Sequence, residues 1–591
     1  MSVAIRILEV FSACAAALYL VGRVVFPIWR HIRARRFILV ILCALPAQSY
    51  AATTYYLDPD WTGTKSGTQS QPFASINTQW STINTALASG DVTIYLSARD
   101  AGADTDDVLA ESVDLTSKTA NPTGTLILIG NQFYNTNDST PSWSAYSGTS
   151  KSRVQSIDSQ NAGHTKYSKV TIDGMHILQN SGGKGLTICG DNWTVQNSDI
   201  EHGSLGGSPL VLIVPTADAA HEGSSSYCAA SSTITIQNNT IHNSVGELIY
   251  VGGAGCAVND ANLSDTNCNG KPSHSGITIS GNTMYGCGSW ASQGDCIDMK
   301  GGLTNVTISR NDISNTLADN DYRAIVGQGI QTDGTNQNIL IERNYIHDLG
   351  GVDDAAIAVV DSWGTPNGYT IRNNIVDTVS GRPAIHIYGT QSAGVELYNN
   401  TIYNAGGFCL SSVSGTITVK NNVCFSNNAG GAQVSLSGTI TSTHNAYGGT
   451  WSAACTSCVS GVTSAAFVNA AGGDFSIPTT SVLKDVGTTI ATFSNDYAGT
   501  SRPQGAAWDI GAYEFSSGSS STILLFIEWG GLISSLAWHF RSMLSILSLM
   551  LCRVSVQALT ECILYAQYAR YLTRNAGARC IYMCLPKRSN V

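Results

Sequence analysis

The sequence Ile234-Thr-Ile-Gln-Asn-Asn-Thr-Ile241 is one copy of a phrase that recurs through the middle of the chain. Further copies begin at Ile277, Val306, Ile339, Tyr369, Val395, Ile417 and Ile440, with weaker ones at Val170 and Trp193. From Ile234 onward the starts are 43, 29, 33, 30, 26, 22 and 23 residues apart. This period is typical of a solenoid coil with loops of variable length. The 59 glycines and 12% charged residues among 591 also indicate a repetitive fold.

Within each copy, apolar residues alternate with polar ones, so one face of a short strand points into a core. An asparagine follows at a fixed position in the copies: Asn239, Asn282, Asn311, Asn344, Asn374, Asn400, Asn422 and Asn445. Asparagine tolerates the left-handed conformation of a sharp turn, and its amide can bond to the same side chain one coil away. The sequence therefore predicts an all-β fold, a single-stranded right-handed parallel β-helix of about ten or more coils.

The ends of this region carry a resemblance to a known group. The entry contains Tyr55-Tyr-Leu-Asp-Pro59 and Asp91-Val-Thr-Ile-Tyr-Leu96, and the exit contains Asp509-Ile-Gly-Ala-Tyr-Glu-Phe515. With the repeats, residues 54 to about 515 resemble bacterial exported β-helix proteins of the pectate-lyase-like superfold. The resemblance implies the architecture but not one activity, because this superfold includes lyases, hydrolases, epimerases and inert adhesins.

The two ends of the chain differ from its middle in composition. Basic residues precede the apolar run 37–45, and small residues follow it, which is typical of a secretory signal. We assign residues 1–51 to targeting, 52–517 to the β-helix, and 518–591, first apolar and then basic, to a tail. The apolar stretches make membrane association through either end an alternative to a disordered tail. The expected location is secreted, periplasmic or at the surface of a bacterium.

Cysteine usage also predicts export. Ten of the 16 cysteines lie within residues 52–517, and an even number at short spacings indicates disulfides in an oxidising compartment. The close pairs are Cys256/Cys268, Cys287/Cys296, Cys409/Cys424 and Cys455/Cys458.

The charge of the middle region limits the partners. The two end segments hold 13 of the 31 basic residues and 3 of the 41 acidic ones, which leaves 18 basic and 38 acidic side chains for residues 52–517. Such a field disfavours nucleic acid, and it repels a polyanionic glycan unless a cation intervenes. The resemblance implies an extracellular polysaccharide as the partner, which the chain acts on or binds, and we expect a monomer.

Chemistry on a β-helix must use an outward strand face, where stacked coils align side chains about 4.8 Å apart. We predict site-bearing strands at 296–300, 329–333, 356–360 and 384–388. With the isoleucines inward, one outward column contains Asp298, Gln331, Ala358 and His386, and the next contains Lys300, Asp333, Val360 and Tyr388. Further ionisable residues flank these strands: Asp295, Arg323, Asp353, Asp354 and Asp361.

A calcium-assisted lyase of a uronate-containing glycan uses most of this set. Calcium takes six to eight oxygen ligands, and the predicted ligands are Asp295, Asp298, Asp333 and Asp361. Lys300 or Arg323 then removes the proton beside the uronate carboxylate for β-elimination, and Asp298 and His386 complete the catalytic surface. Neighbouring carboxylates stabilise charged lysine, which opposes this role, so a Lys300/Asp333 surface salt bridge is the structural alternative.

The predicted substrate-binding residues lie on or near the same strands. Gln331 and Tyr388 belong to the outward columns, and Tyr250 and Trp363 offer aromatic faces to sugar rings. We predict that His242 and His347 are surface or turn-stabilising residues, because they follow the asparagine column.

Two other function classes stay open. Gly294-Asp-Cys-Ile-Asp298 resembles the polygalacturonase motif, although Gly294 stands where that family has its first aspartate and Gln328 replaces its histidine. Inverting hydrolysis would need one protonated and one ionised carboxyl group, such as Asp295 and Asp298. A noncatalytic, adhesive solenoid is the third class, because exposed polar residues on coil turns are often only solvated.

Overall fold

A computed structural model describes residues 52–516 with internal gaps. The gaps are 101–107, 110–111, 136–141, 147–150, 161–164, 204–207, 215–227, 245, 253–273, 288–294, 301, 315–324, 329–335, 350–354, 361–366, 380–382, 388–393 and 426–431. The predicted targeting segment and tail lie outside the described residues. Within the described part, no helix is both long and apolar enough to cross a membrane.

The described strands form three sheets, and each coil visits the first, second and third sheet in turn. All pairings that build the three stacks are parallel, and one short strand, Ser142–Ala145, pairs antiparallel at the side of the first sheet. The parallel strands of the first sheet are Thr53–Leu57, Val92–Asp100, Leu126–Asn135, Val170–Asp173, Trp193–Gln196, Ser232–Gln237, Ser275–Ser280, Thr304–Ser309, Gln337–Glu342, Asn367–Arg372, Val395–Tyr398, Thr416–Lys420 and Thr439–Thr443.

The other two sheets are built in the same way. The strands of the second sheet are Val108–Leu109, Arg153–Val154, His176–Gln179, Asp199–His202, Thr240–Ser244, Thr283–Cys287, Asp312–Ser314, Tyr345–Leu349, Ile375–Val379, Thr401–Ala405, Val423–Phe425, Ala446–Tyr447 and Val459–Ser460. Those of the third sheet are Val113–Asp114, Ile157–Asp158, Leu186–Ile188, Val211–Ile213, Ile249–Val251, Ile297–Met299, Ile325–Gln328, Ile357–Val360, Ile385–Ile387, Leu410–Ser412, Ala432–Ser435 and Thr450–Trp451. The predicted parallel β-helix is confirmed.

The core is a column of aliphatic side chains enclosed by the three sheets. Alternation places every second residue of a strand inward, and these residues are fully buried, as Ile277 and Ile279 illustrate. One α-helix, Trp80–Leu87, packs at the N-terminal end of this column. Its buried residues Trp80, Ile83 and Leu87 lie on one face, since their spacing matches the helical period. The 3-10 turns are Asn77–Gln79, Leu115–Ser117, Ser464–Ala466 and Ala470–Gly472.

The recurrent asparagines form a continuous buried ladder between the first and second sheets. Asn344 is typical: its Nδ2 donates to Asn374 Oδ1 at 2.9 Å and to the Ile308 carbonyl at 3.0 Å. Its Oδ1 accepts from the side-chain and backbone nitrogens of Asn311, both at 3.0 Å. The same bonds link the asparagines at 239, 282, 311, 344, 374, 400, 422 and 445. The predicted ladder is confirmed.

The ladder asparagine was expected to adopt the left-handed turn conformation. In the structure, the residue before it does so instead. Asn238, Gly281 and Arg343 have φ of 55°, 65° and 57°, whereas no ladder asparagine has a positive φ. The two roles are divided because the inward side chain must continue the ladder while its neighbour reverses the chain.

The cysteine predictions have mixed outcomes. Disulfides join Cys287 to Cys296 and Cys455 to Cys458, as their spacing predicts. A third disulfide joins two cysteines 39 residues apart, Cys189 and Cys228, which short spacing could not indicate. The prediction for Cys409/Cys424 is wrong, because no disulfide joins these two residues and both are buried in the core. Cys256 and Cys268 lie outside the described residues.

The last described segment, residues 461–516, folds back along the outside of the final coils. Phe467 and Phe475 pack on Tyr403 and Phe425 of the second sheet. Arg502 lies fully buried within the segment and pairs with Glu514 at 2.8 Å. This segment therefore covers the outward face of the second sheet at its C-terminal end.

Candidate functional site

The third sheet holds the predicted site residues that the structure describes. Strand Ile297–Met299 places Ile297 and Met299 in the core, so Asp298 points outward between Tyr250 of the preceding coil and Val326 of the next. Asp298 is nevertheless only 1% exposed, which corrects the expectation of an exposed carboxylate.

Lys300 is the direct partner of Asp298. The Lys300 Nζ forms an ion pair with Asp298 Oδ2 and lies 5.2 Å from the centre of the Tyr250 ring. An ammonium above an aromatic face at this distance makes a cation–π contact. One face of Tyr250, predicted to stack on a sugar, is thus occupied by Lys300 in this structure.

The groups around Lys300 keep its side chain protonated. Burial acts to lower the pKa of Lys300, but the Coulombic attraction of Asp298, Asp295 and Glu247 outweighs burial, and the pKa is raised above its ordinary value. A general base must be deprotonated before it can take a proton. The geometry therefore opposes the predicted role of Lys300 as the base of β-elimination.

Glu247 is a member of this site that the sequence analysis missed. It precedes Ile249 by two residues, and Asp295 precedes Ile297 by two, so the register of these strands stacks Glu247 and Asp295 on successive coils. Glu247 is 2% exposed, and burial together with the nearby Asp298 charge raises its pKa to about 7. Its signal in the sequence is a position two residues before Ile249 that matches the position of Asp295 before Ile297.

We call Glu247, Tyr250, Asp295, Asp298 and Lys300 the third-sheet cluster. It contains three carboxyl groups and one ammonium, all within two coils. Asp298 Oδ1 is buried and accepts no hydrogen bond from the described residues, although its other oxygen pairs with Lys300. A buried carboxylate oxygen without a partner is costly in a structural role, and such groups occur disproportionately at functional sites.

The next coil differs from the predicted register. Strand Ile325–Gln328, rather than 329–333, pairs with Ile297–Met299 and places Val326 opposite Asp298, where Gln331 was expected. Both Ile325 and Ile330 satisfy the inward period, so alternation alone could not choose between them. The predicted residues Arg323, Gln331, Asp333, Asp361, Trp363 and Tyr388 lie outside the described residues.

His386 lies in the same outward column as Asp298 but does not join the cluster. Val326 and Ala358 separate them, so three coil steps, about 14 Å, lie between their positions. One sugar residue cannot contact both, and the catalytic role of His386 stays a prediction.

Metal binding stays a prediction for this site. The described residues contain no group of three or more His, Cys, Asp or Glu side chains arranged to hold a metal ion. Asp295 and Asp298 are present with Glu247, but the Lys300 ammonium occupies the cation position beside Asp298. The described part of the predicted ligand set therefore fits an ammonium better than calcium.

Comparisons with known proteins agree with the architecture. A family model described as a right-handed beta helix region matches residues 224–382. With the three parallel sheets, this match defines the chain as a right-handed parallel β-helix protein. No curated protein matches the sequence at a significant level.

Solved structures with a similar fold are distant. Pectate lyase Pel9A has 14% identity and a TM-score of 0.44, covering 79% of this chain and 97% of that one. XylC in complex with xylose has 11% identity and a TM-score of 0.44, covering 78% and 98%. The Streptococcus pneumoniae surface protein and adhesin PfbA has 13% identity and a TM-score of 0.33, covering 65% and 94%. These likenesses carry no argument about activity.

Proposed function

We propose that this protein cleaves an extracellular polysaccharide at the third-sheet cluster, and that the reaction is hydrolysis of a glycosidic bond. The observation that carries the proposal is the contrast between two neighbouring buried carboxyl groups. Glu247 has a pKa raised to about 7, whereas Asp298 is ion-paired with Lys300. Glycoside hydrolysis requires one carboxyl group that can donate a proton and a second that can act as base or nucleophile.

The roles follow from these environments. Glu247, protonated below about pH 7, donates its proton to the departing glycosidic oxygen. Asp298, whose side chain is paired with Lys300, activates water or attacks the anomeric carbon. Lys300 is a positioning residue that fixes the Asp298 side chain.

The sign of the local charge favours hydrolysis over β-elimination. With Glu247 protonated as the acid, Asp295 and Asp298 beside one ammonium stabilise the positive charge that develops on the sugar ring during hydrolysis. The same groups repel a uronate carboxylate, and Lys300 is held in its charged form. A neutral glycan is therefore the better substrate for the described residues. The predicted calcium-assisted lyase would need Asp333 and Asp361 to reverse this balance.

The test is incubation of the full chain with neutral and uronate-containing glycans, each with calcium or with chelator. New reducing ends without ultraviolet absorbance by an unsaturated product would support hydrolysis. Glu247→Gln and Asp298→Asn should abolish the release, and Glu396→Gln, a partly buried carboxyl on the first sheet, is the matched control. Calcium-dependent unsaturated products would instead establish the lyase, and absence of any product would leave an adhesive protein.

A further inference from the structure

A second polar surface lies on the outward face of the second sheet, where the C-terminal segment does not cover it. Tyr285 is 38% exposed and is the one exposed aromatic side chain among the described residues. Its ring stacks on His242 of the preceding coil, with centroids 4.7 Å apart and planes at 13°. Because this separation equals the coil spacing, the stack runs along the solenoid axis.

Among the described residues, no ring lies beside the other face of Tyr285. The next residue in its column is Ser314, and His347 follows one coil further, about 10 Å from Tyr285 in column position. The His347 ring stacks sideways on Tyr345 of its own strand at 4.2 Å. A step one coil high, with a serine at its base, therefore lies between Tyr285 and His347.

The underlying ring is fixed in place by charged neighbours. His242 Nε2 is bonded to Asp199 Oδ1 at 2.9 Å, and its Nδ1 lies 3.7 Å from Glu201 Oε2. Glu201 is held in turn by His176 at 3.0 Å. These contacts order the platform beneath Tyr285 before any ligand arrives, which reduces the entropy lost on binding.

Hydrogen-bonding groups border the step. Asp312, whose side chain is 54% exposed, lies beside Ser314 on the same strand and accepts from His347 Nε2 at 2.9 Å. Thr283 stands opposite Asp312 on the preceding coil and is exposed. An exposed aromatic face with carboxylate and hydroxyl groups at its edge matches a sugar ring, which has apolar faces and a rim of hydroxyl groups.

We propose that Tyr285, Ser314, Thr283 and Asp312 form a binding subsite for one sugar residue of a neutral glycan. The sugar ring stacks on the free face of Tyr285 above Ser314, and its hydroxyl groups donate to Asp312. This subsite lies on a different sheet from the third-sheet cluster and does not depend on the proposed cleavage. It would hold a polysaccharide on the solenoid whether or not the chain cuts it.

The test is calorimetric titration of the full chain with a panel of neutral oligosaccharides, carried out on Glu247→Gln to prevent turnover. Tyr285→Ala should weaken binding by roughly tenfold, because one stacked ring is lost. Ser314→Leu should weaken binding to a similar extent, because the leucine fills the step. Tyr285→Phe keeps the aromatic ring and should bind the glycan as tightly as the unmodified chain. Thr278→Ala, on the first sheet of the same coil, is the control.

Stoichiometry separates this subsite from binding at the third-sheet cluster. If both sites bind the same glycan, Tyr285→Ala should weaken one of two sites by roughly tenfold and leave the affinity of the other unchanged. Unaltered affinity and stoichiometry in both Tyr285→Ala and Ser314→Leu would overturn the proposal. Absence of binding to every glycan in the panel would overturn it as well.

Discussion

Replacing Glu247 with glutamine should change how the free energy of unfolding depends on pH. The unfolded chain releases the Glu247 proton near the ordinary pKa of 4.5, whereas the folded chain keeps that proton to about pH 7. Between these values unfolding releases a proton, so stability falls as pH rises. Below pH 4.5 the cost is absent, and above about pH 7 it is complete.

The size of this change in stability follows from the difference between the pKa of Glu247 in the folded chain and in the unfolded chain. A difference between 4.5 and about 7, at about 1.4 kcal/mol per pKa unit, corresponds to about 3 kcal/mol. Because Glu247 is almost fully buried, solvent screening reduces this value little. Glutamine has nearly the same shape and cannot ionise, so Glu247→Gln should lack this part of the pH dependence.

Urea unfolding of both proteins at several pH values between 4 and 8 measures the difference directly. We expect the stability of Glu247→Gln relative to the unmodified chain to rise by about 3 kcal/mol across this range. Thr278→Ala, a substitution on the first sheet that removes no ionisable group, is the control. Parallel pH profiles for Glu247→Gln and the unmodified chain would refute the assignment of a protonated, buried Glu247.

Three other substitutions test the ladder, the C-terminal segment and the cluster. Asn344→Leu leaves buried donors and acceptors on both adjacent coils without hydrogen-bond partners. It should lower the free energy of unfolding, measured in urea, by at least about 3 kcal/mol. Arg502→Met leaves Glu514 buried without its cation and should cost about 3 to 5 kcal/mol by the same measurement, with equal stability contradicting the pairing. Lys300→Met removes a cation that lowers the Glu247 pKa, so the Glu247 titration followed by carboxyl NMR should move above about pH 7.

The fold could be predicted because the repeat fixes both period and phase. Alternating residues such as Ile277 and Ile279 determine which face is buried, and a slip of one residue would expose all of them. The asparagine at one phase of each copy fixes where coils stack. The left-handed residue was misassigned because Asn238 and Asn239 are adjacent and chemically identical, and only the backbone distinguishes their roles.

The site was less predictable because the strands of the third sheet are short and the segments that lead into them vary in length. Either Ile325 or Ile330 could occupy the inward position of the strand, so the local sequence could not determine which residue lies opposite Asp298. Glu247 was missed because its importance comes from burial beside a residue 51 positions later in the chain. The Asp298–Lys300 pair, in contrast, follows directly from their spacing of two on one strand.

The pH dependence of reducing-end release from a neutral glycan tests the proposed hydrolysis most directly. If Glu247 is the general acid, the unmodified chain should lose activity as pH rises through about 7, because the acid is then deprotonated. Glu247→Gln should be inactive throughout while remaining folded. Activity that increases above pH 7, or that survives in Glu247→Gln, would contradict the account.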